Sequence, residues 1–322
     1  MNYLKTLDLI YQESSFVPDK IIKAYAGSSF FVIGKYRGET AILRTSPLDD
    51  KDKLEKLSRE SEASRIINDY IKHKSDKISF NAILASGQKN DLAYSIRKYQ
   101  DIPTLSPDNE DNTSILHGLD LIRNTFLDRD KIILKSIINN INNLQKIDVD
   151  FAKSFKNRFK FELQDKDIEL IKKYLSIDLT SQQKFYLANS KNYCSESNLK
   201  ICMGDLIPPN ILVDRNFDIT LFDFEWFCAD NYMLDLSFFW LFLWRYPNWQ
   251  QNLLLNIAVT DQDKLFFQMS VIRILISWYG EALLSSTGLE LNKKVEFYKK
   301  HIWLDYLKVS GQSNNLILKF NS

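Results

Sequence analysis

The chain has 322 residues, of which 45% are hydrophobic and 26% are charged, a composition typical of a globular protein with a sizeable core. The 42 basic and 41 acidic residues nearly cancel, so net charge attracts the chain neither to nucleic acid nor to an anionic membrane. Its cysteines, Cys194, Cys202 and Cys228, fit neither a disulfide framework nor a zinc site. We therefore expect a reducing, cytoplasmic location and no nucleic-acid partner.

Neither the amino terminus nor the most apolar run of the sequence indicates a membrane protein. The amino terminus, MNYLKTLDLIYQES, has no uninterrupted apolar stretch and no small-residue cleavage site, which argues against a signal peptide. The most apolar run, residues 234–244, contains Asp235 and stops at Arg245, well short of the roughly 20 residues that a membrane-spanning helix needs. This run predicts a buried helix.

The first hundred residues have the pattern of a small antiparallel sheet. The segments IIKAYAGSSF, FFVIGKYRG and TAILRTS are rich in aromatic and branched residues, and glycine-bearing turns at Gly27 and Gly38 separate them. Residues 49–74 then carry apolar side chains at helical spacing, and SFNAILASG and LAYSIRKY predict two further strands. We expect about five strands with one helix inserted after the third.

Beyond residue 100 the pattern becomes mainly helical. The segment IPTLSPDNEDNTS, with two prolines and a run of turn-forming residues, is the best candidate for a linker. Helical patterns such as SILHGLDLIRNTFL occupy residues 113–200 and return after residue 233, whereas LKICM and ITLFDF, which lie between them, have strand character. The sequence predicts an α+β protein with a sheet-containing lobe over residues 1–100 and a mostly helical lobe over residues 101–322.

The stretch MGDLIPPNILVDRNFDITLFDFEWF places polar side chains between apolar runs. Asp205 is followed five residues later by Asn210, and Asp223 ends the apolar segment ITLF. If residues 211–213 pair with residues 219–222 as a hairpin, Asp223 returns to the side of Asn210. Aspartate and asparagine oxygens with open positions left for phosphate and water are the ligands that Mg²⁺ prefers.

These residues, at this spacing, resemble the catalytic segment of the aminoglycoside phosphotransferase and choline kinase family, which has a protein-kinase-like fold. That family has His-Gly-Asp, an Asn five residues after the Asp, Asp-Phe-Glu further on and finally Asp-Leu. The matching residues here are Gly204-Asp205, Asn210, Asp223-Phe224-Glu225 and Asp235-Leu236. The resemblance implies a bilobal kinase-like fold and a Mg²⁺-dependent transfer of the γ-phosphoryl group of ATP or GTP to a small-molecule hydroxyl.

The resemblance also implies roles for individual residues. Asp205 would accept or orient the proton of the attacking hydroxyl, while Asn210 and Asp223 would hold Mg²⁺ on the nucleotide phosphates. Asp235 would support the catalytic loop through backbone N–H groups. The family histidine that braces this loop is Met203 here, and a methionine can fill the space without making the same hydrogen bonds.

The amino-terminal half contains candidates for the nucleotide contacts that the resemblance implies. Arg44 in TAILRTS stands where a cation meets the α- and β-phosphates, and Glu60 stands where an acid holds that cation. Glu62 is the alternative acid, and an acid on a helix is also often simply solvated. The remaining candidates are the phosphate-covering turn Gly27-Ser28-Ser29 and, near the purine, backbone groups of residues 97–99, including Lys98 and Tyr99.

Glu225, Trp226 and Asp230, at the end of the Asp-Phe-Glu motif and after it, are candidates for contact with the phosphate acceptor. Glu225 and Trp226 resemble a piece of choline and ethanolamine kinases, and an aromatic face with a carboxylate is a common way to hold a quaternary ammonium. Glu225 and Asp230 fit the amines of an aminosugar or the hydroxyls of a plain sugar equally well. Trp240 and Trp244 lie in an apolar run and fit packing in a helical core better.

Two classes of function remain open at this point. The first is a small-molecule kinase, which the retention of Asp205, Asn210, Asp223 and Arg44 favours. The second is a pseudokinase that serves as a nucleotide-binding or protein-interaction module, for which the replacement at Met203 is the motive. The acceptor, the choice between ATP and GTP, and the oligomeric state stay open in both cases.

Overall fold

The computed structural model describes residues 3–25, 29–74, 77–105, 126–300 and 302–310. A helix, α1 (Tyr3–Ser14), precedes a five-stranded antiparallel sheet in the order β1-β2-β3-β5-β4, and a second helix, α2 (Lys51–His73), follows the third strand. The strands are β1 (Phe16–Tyr25), β2 (Ser29–Tyr36), β3 (Glu39–Pro47), β4 (Ile83–Lys89) and β5 (Leu92–Lys98). The predicted sheet with its inserted helix is confirmed, whereas α1 has no counterpart among the predicted elements. Gly27 and Ser28 lie outside the described residues, and Ser29 is the first residue of β2.

The two faces of the sheet have different partners. Alternation along β3 buries Leu43 in the same cluster as Leu7 and Ile10 of α1, because successive side chains of a strand point to opposite faces. Arg44, the next residue, therefore points to the other face, where Glu60 of α2 approaches it. This alternation places a cation between the sheet and α2.

Helices dominate the remainder of the described chain. They are α3 (Asp128–Leu144), α4 (Asp165–Leu175), α5 (Thr180–Tyr193), α6 (Leu234–Phe242), α7 (Pro247–Ile257), α8 (Asp261–Leu284), α9 (Gly288–Lys299) and α10 (Ile302–Val309). Two pairs of short antiparallel strands interrupt them, β6 (Leu199–Cys202) with β9 (Cys228–Asn231) and β7 (Ile211–Val213) with β8 (Ile219–Leu221). The observed α+β class agrees with the prediction, although most of IPTLSPDNEDNTS and of SILHGLDLIRNTFL lies outside the described residues.

The core of the helical part surrounds α8. This helix begins at a capping box, in which the Thr260 hydroxyl accepts the N–H of Asp263, and it is buried along most of its length. Trp240 of α6 is only 4% exposed and packs edge-on against Phe267 of α8 at 5.3 Å between ring centroids. Trp240 is therefore a core residue, while Trp244 is partly exposed at the end of the same apolar run. Across the part of the chain that is described, the helices are too short or too polar to cross a membrane.

The fourth strand begins later than its sequence suggests. The predicted strand starts at Ser79, but β4 starts at Ile83. The residues before β4 are hydrogen-bonded to β8 instead, since the Leu221 N–H donates to the Ser79 carbonyl at 3.0 Å and the Asn81 N–H donates to the Leu221 carbonyl at 2.8 Å. This segment thus ties the five-stranded sheet to the β7–β8 hairpin.

Candidate active site

The hairpin predicted from residues 211–222 is present. Strands β7 and β8 pair in antiparallel register around a turn at residues 214–218, and the Asp214 carboxylate accepts backbone N–H groups inside that turn. The N–H of Phe222 donates to the carbonyl of Asn210 at 3.1 Å. Asp223 therefore follows a residue that is hydrogen-bonded to Asn210, as expected from the predicted hairpin.

Asn210 is oriented by Asp205. Its Nδ2 donates to the Asp205 carbonyl at 3.0 Å and lies 3.4 Å from the Asp205 Oδ2, and the residue is only 6% exposed. An amide has two donors on nitrogen and an acceptor on oxygen. Because the nitrogen faces Asp205, the Asn210 Oδ1 is the atom that could bind a cation.

The loop that carries Asp205 is held from behind by Asp235. The N–H groups of Met203 and Gly204 donate to the two carboxylate oxygens of Asp235, each at 2.8 Å. Burial raises the pKa of Asp235 to about 7, although the two N–H groups oppose that shift. These hydrogen bonds fix the backbone of the loop, and the Met203 side chain is buried.

Asp205 itself has a partner that no sequence motif indicated. Its Oδ1 accepts a hydrogen bond from the Nη1 of Arg158, in the loop between α3 and α4. Burial raises the pKa of Asp205, and the positive charge of Arg158 opposes that shift. Arg158 lies 47 residues before Asp205 in the unremarkable stretch SFKNRFKF, so no local signal could have identified it.

Three carboxylates meet in front of the hairpin. Oxygens of Glu60, Asp223 and Glu225 all lie within 4.8 Å of one another, and the buried Oδ1 of Asp223 has no hydrogen-bond partner among the described residues. Burial, and then the charges of Glu225 and Glu60, raise the pKa of Asp223 to about 8. A buried, unpartnered carboxylate oxygen beside other oxygen donors suits a hard divalent cation such as Mg²⁺, so the residues present fit such an ion.

Arginines from the sheet neutralise part of this charge. Arg44 forms an ion pair with Glu225, and its Nη1 also lies 3.7 Å from the Glu60 Oε2. Arg97 of β5 binds both oxygens of Glu60, at 2.7 Å and 2.8 Å. The expected proximity of Arg44 and Glu60 is present, but each has a closer partner. The alternative acid, Glu62, forms its ion pair with an exposed arginine of α2.

Two of the backbone groups predicted to lie near a purine have hydrogen-bond partners within the protein. The Tyr99 N–H donates to the Thr40 carbonyl at 3.0 Å, and the Lys98 carbonyl accepts the Nδ2 of Asn81 at 3.1 Å. The Lys98 ammonium pairs with Glu39 on the surface at 2.9 Å. Pairing with β3 and with the segment before β4 thus takes up the Tyr99 N–H and one acceptor position of the Lys98 carbonyl, and the purine contact at these residues stays a prediction.

The prediction for Asp230 requires a correction. Its side chain is fully buried, and its carboxylate accepts hydrogen bonds from the Nη2 of Arg273 at 2.6 Å and from the Nδ2 of Asn157 at 2.7 Å. The prediction that Asp230 contacts an acceptor is wrong, because β9 directs the side chain into the core against α8. Burial raises the pKa of Asp230, and Arg273 opposes that shift.

Trp226 is surrounded by cations. The Nζ of Lys56 lies 5.2 Å from its ring centroid, and the guanidinium carbons of Arg59 and Arg158 lie at 5.5 Å and 5.4 Å. Two of these cations belong to α2 and the third belongs to the loop that reaches Asp205. The partly exposed ring thus joins α2 to the helical part of the molecule.

No protein-family model matches the chain, and no curated protein matches it by sequence. Solved structures do match it in fold. An aminoglycoside 2′-phosphotransferase in complex with GDP superposes with a TM-score of 0.58 at 13% identity, covering 98% of this chain and 100% of the other. A spectinomycin phosphotransferase with ADP and spectinomycin gives 0.54 at 13% identity over 98% and 97%.

A macrolide 2′-phosphotransferase from Brachybacterium faecium gives a TM-score of 0.54 at 12% identity, covering 90% of this chain and 95% of the other. At such identities the likeness concerns the fold, which in each case extends over nearly the whole of both chains. The chain therefore has the bilobal kinase-like α+β fold of the aminoglycoside and macrolide phosphotransferases.

Proposed function

We propose that this protein is a small-molecule kinase that transfers the γ-phosphoryl group of ATP or GTP to a hydroxyl, with Mg²⁺ as cofactor. The observation that carries the proposal is the buried Oδ1 of Asp223, which has no hydrogen-bond partner among the described residues and lies with two other carboxylates. A buried polar atom without a hydrogen bond is costly. A protein that binds no ligand at this oxygen would gain nothing from a buried carboxylate there.

Each residue of the site then has a task. Asp223 and the Oδ1 of Asn210 hold the cation, which neutralises the phosphate charge when it is bound. Asp205 receives the proton of the acceptor hydroxyl as the new oxygen–phosphorus bond forms, and the nucleoside diphosphate leaves with the electrons of the broken bond. Arg44 binds phosphate oxygens, for which its guanidinium fork is suited.

Electrostatics around Trp226 narrow the class of acceptor. The ring already contacts three cations, Glu225 is paired with Arg44 and Asp230 is paired inside the core. A quaternary ammonium at Trp226 would meet repulsion and find no free carboxylate among these residues. Within the amino alcohols, aminosugars and sugars that the sequence allowed, this arrangement favours a sugar or another uncharged hydroxyl compound over choline.

A pseudokinase that binds nucleotide without transfer is the second candidate. It rests on Met203, which lacks the hydrogen-bonding groups of a histidine, and on the engagement of Asp205 by Arg158. A pseudokinase would bind nucleotide in the presence of Mg²⁺ or would not bind it at all. In either case it would show no turnover. Turnover with a single acceptor separates the two candidates.

The experiment is a measurement of ATP and GTP consumption with Mg²⁺. The acceptor panel comprises choline, ethanolamine, glucosamine, glucose, kanamycin and a macrolide, each with the wild-type protein and with the variants Asp205→Asn and Asp223→Ala. We expect turnover with an uncharged hydroxyl compound and a loss of about 100-fold or more in both variants. A positioned acid–base group such as Asp205 contributes about that much, and loss of Asp223 would remove a ligand of the cation that stabilises the transferring phosphoryl group.

The matched control is Asp218→Asn, which makes the same chemical change at an exposed position of the β7–β8 turn. It should leave turnover unchanged. Turnover that survives both Asp205→Asn and Asp223→Ala would contradict the assigned roles. Nucleotide binding without turnover on any acceptor would favour the pseudokinase.

A further inference from the structure

Arg158 is the one cation that contacts Asp205 among the described residues. Its Nη1 donates to the Asp205 Oδ1. The Arg158 side chain is 30% exposed and the Asp205 side chain is 16% exposed. The guanidinium also lies near three aromatic rings, with its carbon 5.5 Å from the centroid of Phe159, 5.1 Å from Phe238 and 5.4 Å from Trp226. Rings on several sides restrict the rotamers that a long side chain can adopt.

The backbone that carries Arg158 is anchored on both sides. Before it, the Nδ2 of Asn157 donates to the Ala229 carbonyl at 2.9 Å and to the Asp230 Oδ2 at 2.7 Å. After it, Phe159 is buried and packs edge-on against Phe238 at 5.4 Å. Arg158 is therefore held between two fixed neighbours, unlike a surface ion pair between two flexible side chains.

The loop around Asp205 needs such a contact. Asp235 fixes the backbone of Met203 and Gly204, but the Met203 side chain has no N–H or O–H group to donate. Asn210 reaches the Asp205 Oδ2 only at 3.4 Å. Without Arg158, the carboxylate would have one long hydrogen bond from a side chain to set its rotation.

We propose that Arg158 is a positioning residue, which holds the Asp205 Oδ1 and thereby turns the Oδ2 toward the acceptor hydroxyl. Arg158 lies in a distant loop, and its side chain donates to the catalytic segment a hydrogen bond that the Met203 side chain cannot donate. This inference rests on the proposed kinase function. It assigns the two oxygens of Asp205 different tasks, since Oδ1 is bound by the guanidinium and Oδ2 has the weaker contact and spare acceptor capacity.

The kinetic test compares Arg158→Met, Arg158→Lys and the control Arg129→Met. Arg129 is also 30% exposed as a side chain and also lies beside an aspartate, Asp130, but it is at the start of α3. The assay uses the acceptor found in the panel and, alongside it, hydrolysis of ATP by water. We expect Arg158→Met to lower kcat about 10- to 100-fold, because misplacing a catalytic group by about 1 Å has effects of that size.

The KM for nucleotide should stay within about twofold of the wild-type value, because Arg158 binds the Asp205 Oδ1 and the proposal gives it no task at the phosphates. Arg158→Lys should recover part of the lost kcat, and Arg129→Met should change neither constant. An unchanged kcat in Arg158→Met, or a loss confined to the nucleotide KM, overturns the proposal while leaving the kinase function standing.

A second measurement does not depend on turnover. Thermal unfolding of Arg158→Met, Asp205→Asn and the double variant forms a cycle that isolates the pair. We expect the Tm losses to be non-additive, with Asp205→Asn less harmful, or even stabilising, once Arg158 is gone. Additive losses contradict a fixed contact. A wild-type protein that neither phosphorylates an acceptor nor hydrolyses nucleotide overturns the kinase function, and with it the catalytic meaning of the pair.

Discussion

Asp223 combines two features that are unfavourable in the protein alone. Its φ of +67° is in the left-handed region, which costs an ordinary residue roughly 1 kcal/mol or more, and its buried Oδ1 has no hydrogen-bond partner among the described residues. The hairpin before it and the neighbouring carboxylates maintain this conformation. Strained positions of this kind cluster at ligand-binding sites, which agrees with the proposed cation site.

The pH dependence of stability should report this carboxylate. The folded-state pKa of Asp223 is raised to about 8, so between about pH 4 and pH 8 the folded state keeps a proton that the unfolded state has released. Stability therefore falls as pH rises through this window and levels off above it. We expect the Tm of the metal-free protein to fall over this range, and Asp223→Asn to remove part of the fall.

Magnesium should reverse that trend. A cation competes with the proton for Asp223, so its affinity should rise with pH up to about 8 and binding should release protons. Titration calorimetry in two buffers of different ionisation enthalpy would detect the release. Asp223→Asn should lose it, whereas Asp218→Asn, in the exposed turn, should keep it. An equal release from Asp223→Asn and the wild-type protein would contradict the assignment of this site.

Gly204 provides a second test at the scale of one residue. Its φ is +78°, and a Cβ there would lie 2.2 Å from the carbonyl oxygen of Trp226. Gly204→Ala should lower the free energy of unfolding by about 3 kcal/mol, from backbone strain and overpacking together. Gly38→Ala is the control, since Gly38 has a φ of +84° but open space around it.

Urea unfolding would measure both glycine variants. Gly38→Ala should cost only about 1 kcal/mol, the backbone term alone. Equal losses for the two variants would mean that the Trp226 carbonyl moves aside readily. In that case the close approach between Gly204 and the Trp226 carbonyl would not be what fixes the catalytic loop.

Between elements, a fully buried ion pair joins β9 to α8. The side chains of Asp230 and Arg273 are both 0% exposed, and the Arg273 Nη2 lies 2.6 Å from the Asp230 Oδ1. Removing one partner of such a pair leaves an uncompensated buried charge, which costs about 3 to 5 kcal/mol. We expect Arg273→Met to destabilise the protein by about that amount in urea unfolding.

Replacing both partners should be much less harmful. In the double variant Arg273→Met, Asp230→Asn, no buried charge remains, so most of the lost free energy of unfolding should return. Asparagine can still accept the hydrogen bond from Asn157 that now reaches the Asp230 Oδ2. A double variant as unstable as Arg273→Met alone would show that the packing of Arg273, and not its charge, is the stabilising feature.

The sequence predicts those elements whose signals are local. Strands β2 and β3, helix α2 and the β7–β8 hairpin follow from alternation, helical spacing and turn residues within short windows. Strand β1 (Phe16–Tyr25) only overlaps the predicted segment IIKAYAGSSF and begins before it. The start of β4 does not follow from local signals, because the pairing of Ser79 and Asn81 with Leu221 is a tertiary contact. Where a side chain's partner is distant in sequence, as for Asp205 at 47 residues and Asp230 at 43 residues, the pattern shows a charge but not what neutralises it.

On the scale of the whole molecule, the sheet and the helical part meet through α2. Lys56 and Arg59 contact the Trp226 ring, and the Arg59 Nη1 also donates to the Lys156 carbonyl at 3.0 Å. Across the site, the ion pair of Arg44 with Glu225 joins β3 to the segment after β8. The position of Glu60 on α2 therefore depends on contacts that cross between the two parts.

Trp226→Ala should loosen α2 without unfolding the protein. Loss of the ring removes the surface on which Lys56 and Arg59 lie, while the contacts of α2 with the sheet remain. Amide hydrogen exchange should then become faster in α2 but not in α8, because local opening follows the loss of local contacts.

The control for this prediction is Tyr174→Ala, where Lys173 lies 4.8 Å from the ring centroid within α4 alone. Both variants lose an aromatic ring that a cation contacts, but only one of these rings joins two parts of the molecule. If exchange in α2 is unchanged in Trp226→Ala, the ion pairs of Arg44 and Arg97 suffice to hold the helix. Faster exchange in α2 would show that the Trp226 ring helps to hold α2, and with it Glu60, against the helical part of the molecule.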